Sequence, residues 1–183
     1  MVVGRPGCGR RGPLALPSRS LQDLPDDTDV FLDANIFIYA FGEKSAQCRN
    51  LLLRCAQEKV FGITTFDIVN EVTHRLMILE ALSVGLIQKE RAEDLKKRVA
   101  RIPSLTRYWV LASKIFALNV LLLHTDESRL RQAHAVRASE GLLTNDSLIV
   151  AAMNEFGIPA LATRDDDFDH IAGLVVYKPT DFP

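Results

Sequence analysis

Cysteine is scarce in this sequence of 183 residues: Cys8, Cys48 and Cys55 are an odd number, with no CxxC pair and no Cys/His spacing of a zinc site. A disulfide framework and a structural zinc are therefore excluded as organising devices, and a reduced, cytoplasmic setting is expected. Cys48 and Cys55 stand seven apart, which on a helix places them on one face but about 10 Å apart along the axis, too far to bridge. They read as small buried hydrophobes. Long apolar runs are also missing: none approaches the roughly 18 residues of a bilayer span, and no apolar leader opens the chain, so no membrane association is expected. Excess charge is absent as well. The net charge is −1 and the pI near 6.4, so there is no global positive field, and a nucleic acid would have to be met by local patches. The four histidines show no HExxH or related spacing.

What is present is apolar: 48% of the residues are hydrophobic, enough for one sizeable core. Residues 1–28, rich in Gly, Pro, Arg and Ser, carry neither helical nor strand period and are expected to form a disordered extension, with one domain over 29–183. The early "GRPGCGRRG" lacks a preceding strand and a GK[ST], so it is no phosphate loop.

From Val30 onward short β-type runs alternate with helix-length segments. "VFLD", "VFGITTF", "VLLLHT", "IPALAT" and "LVVYKP" read as strands. "ANIFIYAF" is read as a short helix starting after Asp33. "SAQCRNLLLRCAQEK" is an amphipathic helix with Ser45 as its N-cap, and "DIVNEVTHRLMILEAL" carries a core stripe at Val69, Val72, Leu76 and Leu79. "QKERAEDLKKRVARI" is expected to be a charged helix ending before Pro103, with "LTRYWVLASKIFAL" helical or mixed after it. Tyr108 and Trp109 read as core or interface. "DESRLRQAHAVRA", capped by Asp126 or Ser128, and the nearly all-apolar "NDSLIVAAMNEF", closed by Gly157, complete the helices. The alternation predicts a three-layer α/β/α sandwich around a central, mainly parallel sheet, whose sites form outside the carboxyl ends of the strands.

Acidic residues collect at that edge. Asp33 ends the first strand inside "VFLDANIFIYAF"; Glu71 lies in the helix after the second; Asp146 opens the buried helix; Asp165, Asp166 and Asp167 follow the fourth strand. Each has a plain structural alternative. Glu71 can pair with Arg75 at i+4, Asp146 can serve the helix dipole, and the Asp165 run can be a solvated turn. Those alternatives do not require all four segments to meet at one edge. Ionised carboxylates gathered there need a counter-charge, and an oxygen-only donor set selects a hard ion, Mg²⁺ or Mn²⁺. Such a site suits phosphodiester hydrolysis.

In this order, "VFLDANIFIYAF", "ITTFDIVNEV", "NDSLIVAAMNEFGIPALATRDDDF" and "GLVVYKP" resemble the PIN domain and, within it, the VapC-like toxins of toxin–antitoxin pairs, over about residues 29–181. The resemblance implies an α/β/α sandwich with Mg²⁺- or Mn²⁺-dependent endoribonuclease activity on RNA, a VapB-like antitoxin as partner, and a homodimer. It carries the acids over as Asp33, Glu71, Asp146 and Asp165, with Asp167 as the alternative fourth. Asn35 matches a small polar position beside the first acid. Thr64 or Thr65 matches a hydroxyl before the second helix that would hold the acids or a bound water. The extension at the N-terminus and the length of the 85–118 region depart from the family pattern.

Between Lys89 and Arg107 seven Lys or Arg face three acids, a local excess of +4 that would attract a phosphate backbone if it bordered the acidic edge, or would form a solvated helix face. Two other readings of "FLDAN" deserve a test. A phosphatase of the HAD type needs a second acid two residues after the nucleophile, where this chain has Asn35. A non-catalytic module would use the acids to bind a partner's basic residues and would hold no cation.

Overall fold

The structure is a computed structural model that describes residues 16–182. Six strands form one sheet: β1 (Arg19–Ser20), β2 (Asp29–Leu32), β3 (Phe61–Thr65), β4 (Leu121–Leu123), β5 (Ala160–Ala162) and β6 (Val175–Lys178). Their order is β1-β6-β5-β2-β3-β4, and every pairing is parallel. Helices cover both sides of the sheet, which makes the α/β/α sandwich expected from the alternation of short apolar runs and helical segments.

β2 is central. Val30, Phe31 and Leu32 are fully buried, as a strand covered on both faces must be, and each contributes about 2 kcal/mol by leaving water. The chain leaves β2 in one direction toward β3 and β4, and returns on its other side as β5 and β6. The crevice at the carboxyl ends of β2 and β5 is thus the switch point of the sheet. β3 passes so close to its neighbours that a Cβ on Gly62 would lie 3.0 Å from both Cys55 Sγ and Leu32 Cδ1.

Helix α1 (Ala34–Phe41) follows β2 directly, with Asp33 as N-cap. Helix α2 (Ala46–Ala56) is capped by Ser45, whose Oγ accepts the Cys48 N–H at 3.0 Å, and buries Cys48, Leu51, Leu52 and Cys55 along one stripe. Both cysteines are free, and burial pushes each thiol up to about 11; Cys8 lies outside the described residues. Helix α3 (Phe66–Ser83) carries the expected stripe, with Val69, Val72 and Leu76 buried and Leu79 packed at its edge. Helix α6 (Glu127–Glu140) is capped by Asp126, and α7 (Thr144–Phe156) buries seven consecutive residues from Ser147 to Met153 before Gly157 ends it at φ 65°. No helix among the described residues is long and apolar enough to cross a membrane.

Two expectations are corrected. The disordered extension over 1–28 lies outside the described residues as far as residue 15, but from residue 19 the chain is part of the fold. Arg19 and Ser20 add β1 beside β6, and Leu21 and Leu24, each 3% exposed, enter the main core. Two leucines at i and i+3 in a Pro-flanked stretch give no period to read. The charged helix from Gln88 to Ile102 is also broken. Only α4 (Ala92–Lys96) is helical, with no side-chain cap on its start, and residues Val99–Ser104 form a 3-10 turn containing Pro103. Here Leu95 and Leu105, with Ile87, wrap a second small core onto Ile78 and Ala81 of α3, and tertiary burial overrides the local helical preference. Helix α5 (Arg107–Ala112) follows, and its Trp109 is 54% exposed and so no core residue.

Candidate active site

Asp33 ends β2 and starts α1, at the one point where the apolar run must turn. Its N–H donates to Ala162 O of β5 at 3.1 Å, which fixes the backbone against the neighbouring strand. Its carboxylate accepts the Ala34 N–H at 2.6 Å, the Thr163 hydroxyl at 2.6 Å and an Asn35 Nδ2–H. Thr163 follows β5 directly. Its Oγ1 donates to Asp33 and accepts from Asn35 Nδ2 at 2.9 Å and from the Asp165 N–H at 3.0 Å, using its full hydrogen-bonding capacity. Asn35 Oδ1 accepts the Arg164 N–H at 3.1 Å. Asp33, Asn35 and Thr163 thus form one connected network that ties β2 to the loop after β5. Asn35 acts only as orienter here, which leaves the HAD-type reading without its second acid.

Above this network opens a cleft of about 1250 Å³ lined by Asp33, Glu71, Asp146, Asp165, Asp166 and Asp167. Glu71 projects from α3, where its Oε2 accepts from Asn145 Nδ2 at 3.0 Å. Arg75 pairs instead with Glu90, at 3.4 Å, so the i+4 alternative for Glu71 does not form. Asp146 lies in the first turn of α7, whose N-cap position is Leu143 and carries no side-chain cap. Asp165 Oδ1 accepts the Asp167 N–H at 3.0 Å and so shapes the turn that presents both acids. Asp166 is drawn away to Lys178, at 2.6 Å.

The electrostatics are those of a site short of positive charge. Burial, and then repulsion from Glu71 and Asp146, push the Asp33 carboxyl up to about 7 despite its hydrogen bonds from Thr163 and Ala34. Asp146 is raised too, by burial first and then by Asp165, Asp167 and Glu71. These mutual influences place the four acid-bearing segments in one electrostatic unit. The donor set fits a hard divalent cation, being all oxygen. Among the described residues no group of three or more His, Cys, Asp or Glu side chains is gathered so that it could hold a metal ion.

Asp33, Glu71, Asp146, Asp165 and Asp167 therefore share one cleft, and Asn35 touches Asp33 as expected. The two threonines do not. Thr64 Oγ1 donates to Leu32 O at 2.8 Å inside the sheet, and Thr65 Oγ1 caps α3 by accepting the Ile68 N–H at 3.2 Å. The hydroxyl that holds the first acid is Thr163. The contact spans 130 residues, and its signal in the sequence was only its place immediately before "RDDD". Asn145, beside Asp146, was likewise legible only as a polar neighbour of an acid. The basic excess between Lys89 and Arg107 supplies no residue to the cleft lining.

The pattern of the PIN domain matches residues 30–174, from β2 to the turn before β6. Ribonuclease VapC6 of Methanocaldococcus jannaschii is 28% identical over 166 residues, covering 82% of this chain and 97% of that protein. Among solved structures, VapBC2 of Rickettsia felis bound to a DNA fragment from their promoter superposes with a TM-score of 0.50 at 17% identity, covering 82% of this chain and 98% of that one. VapC20 of Mycobacterium tuberculosis, a Sarcin-Ricin loop cleaving toxin, gives 0.49 at 17% identity over 76% of this chain and 92% of its own. The Rickettsia likeness speaks for the fold; the family match extends from the first acid past the last. This chain belongs to the PIN domain family.

Proposed function

We propose that this PIN domain is a Mg²⁺- or Mn²⁺-dependent endoribonuclease, the toxin of a VapBC-type toxin–antitoxin pair acting in the cytoplasm. The observation that carries the reading is the cleft itself: acids from four chain segments line it where the sheet reverses, and Asp33 among them is lifted to about 7 by burial and by Glu71 and Asp146. The similarity to Ribonuclease VapC6 supports RNA as the substrate. The likeness to the VapBC2 assembly is in line with a VapB-like partner, and a homodimer is proposed with it from the family resemblance alone.

Asp33, Glu71, Asp146 and Asp165 are the proposed ligands, with Asp167 as the alternative fourth. A cation held there would polarise a phosphodiester and acidify water, so no protein nucleophile is needed. The chain's own share is positional. Asn35 and Thr163 fix the Asp33 carboxylate, Asn145 fixes Glu71, and the Asp165 turn presents the remaining acids to the cleft. Holding such carboxylates by hydrogen bonds commonly governs metal affinity by about 10–100-fold.

Mn²⁺ titrated into an RNA-cleavage assay tests this. Wild type cleaves in proportion to cation occupancy, and Asp33→Asn loses activity by about three orders of magnitude or more. Equal activity in both, or no cation bound at millimolar Mn²⁺, overturns the reading and leaves a binding module. The partner is tested by looking for a small gene for a DNA-binding antitoxin immediately upstream, and the dimer by light scattering.

A further inference from the structure

Three cations line the acidic cleft: Arg75, Arg164 and Lys178. Two are engaged. Arg75 lies 3.4 Å from Glu90, and Lys178 Nζ lies 2.6 Å from both Asp166 and Asp169. Arg164 makes no salt bridge among the described residues, although it stands next to Asp165 in the chain. Its guanidinium instead lies 4.6 Å from the centre of the Phe182 ring and 5.8 Å from that of Tyr39, two rings that meet edge to face at 4.6 Å. Its backbone N–H is bonded to Asn35, the residue that also orients Asp33.

That aromatic shelf depends on the end of the chain. Asp181 accepts the Ser45 hydroxyl at 2.6 Å and the Gln47 N–H at 3.0 Å, while the Thr180 N–H donates to Gln47 Oε1 at 2.8 Å and Gln47 Nε2 donates to Thr180 Oγ1 at 2.9 Å. These bonds strap the chain to the start of α2 and bring Phe182 against Tyr39. An arginine beside free carboxylates is drawn onto them unless something else holds it. Stacking holds it by its face and leaves the in-plane N–H donors free for a planar or tetrahedral anion.

We propose that Arg164 grips a phosphodiester of the RNA backbone next to the acid cluster, and that the strap Thr180–Phe182 is the device that positions it. The inference rests on the nuclease reading for its substrate, but its first test does not require cleavage. Binding of a short fluorescein-labelled single-stranded RNA to the full chain is followed by anisotropy in EDTA across a range of KCl concentrations. Arg164→Ala weakens binding about three- to ten-fold at low salt and flattens the slope of log K against log salt by about 0.7, the share of one phosphate contact. Phe182→Ala gives a smaller loss, Phe182→Tyr restores it, and the double variant Arg164→Ala/Phe182→Ala loses no more than Arg164→Ala alone, as a positioning role requires. In cleavage with Mn²⁺, Arg164→Ala raises KM and leaves kcat within about two-fold.

Wild-type affinity and slope in Arg164→Ala overturn the proposal, as does a Phe182→Ala loss that simply adds to that of Arg164→Ala. Binding that depends on Arg164 in a wild type that cleaves no RNA supports this inference while sinking the nuclease reading. Cleavage by Arg164→Ala with unchanged KM does the reverse.

Discussion

At Asp33 the folded protein keeps a carboxyl group where the sequence is most apolar, and its protonation should be visible in stability. Its carboxyl is raised from an ordinary 3.8 to about 7. The folded state therefore binds this proton more tightly than the unfolded chain does, and the associated stability is full below about pH 4 and is lost as pH climbs toward 7. At about pH 8 the ionised group costs the metal-free protein on the order of 4 kcal/mol. Asp33→Asn should consequently gain on wild type between about pH 5 and pH 8 in urea unfolding, and saturating Mn²⁺ should close the gap by stabilising wild type alone. Thr163 offers a second test. Its hydrogen bond lowers the Asp33 pKa, so Thr163→Val should raise it further, moving the acid limb of the cleavage profile to higher pH and cutting activity about 10–100-fold. A profile that does not move would remove Thr163 from the site. In the sequence, Asp33 announces itself by its apolar neighbours. Thr163 does not, because a hydroxyl's partner across 130 residues leaves no local trace, and Thr64 and Thr65 offered the same chemistry in a more familiar place.

Among the elements, α5 shows how a carboxylate can be spent on architecture. Glu80, near the end of α3, accepts the N–H groups of Thr106, Arg107 and Tyr108 at 2.7 to 3.0 Å, supplying from another helix the cap that Thr106 does not provide. Slight burial raises its pKa, but the three backbone donors and Arg107 outweigh it and the net shift is downward. Glu80→Ala should destabilise by about 1–2 kcal/mol, the worth of a lost cap, in chemical denaturation. That difference should be present at neutral pH and fade as pH falls below the ordinary carboxylate range, where Glu80 becomes protonated in wild type. Gly62 is a test of the opposite kind. A methyl added there would meet three heavy atoms at 3.0 to 3.1 Å, so Gly62→Ala should cost about 1–3 kcal/mol through overpacking against Cys55, Leu32 and Val120, read as a lower urea midpoint. Helices α2, α3, α6 and α7 were legible from their residues, through the Ser45 cap, the stripe at Val69, Val72 and Leu76, the Asp126 cap and the apolar run closed by Gly157. The 88–104 segment was not, since its charges suit a helix and its burial suits a wrap.

For the whole molecule, the boundary of the folded unit lies earlier than composition suggests. Leu21 and Leu24 are buried in the main core, and β1 covers the outer edge of β6. We propose that the functional domain starts before residue 19, and that Leu21→Ala lowers its stability by about 2–3 kcal/mol in chemical unfolding; a neutral substitution would return the boundary to residue 29. The sequence by itself determined the class of fold, because buried parallel strands and amphipathic helices are written in local hydrophobic period. It also determined the acids at the strand ends, because an anion in an apolar run has few places to go. Only the tertiary structure decided which hydroxyl and amides hold those acids, that Arg75 leaves Glu71 for Glu90, and that the chain's end shelters Arg164 on the cleft rim. Those choices depend on residues far apart in the chain, more than a hundred positions in the case of Asp33 and Thr163, becoming neighbours when the sheet closes. Such closeness is a property of the packed chain rather than of any stretch of it.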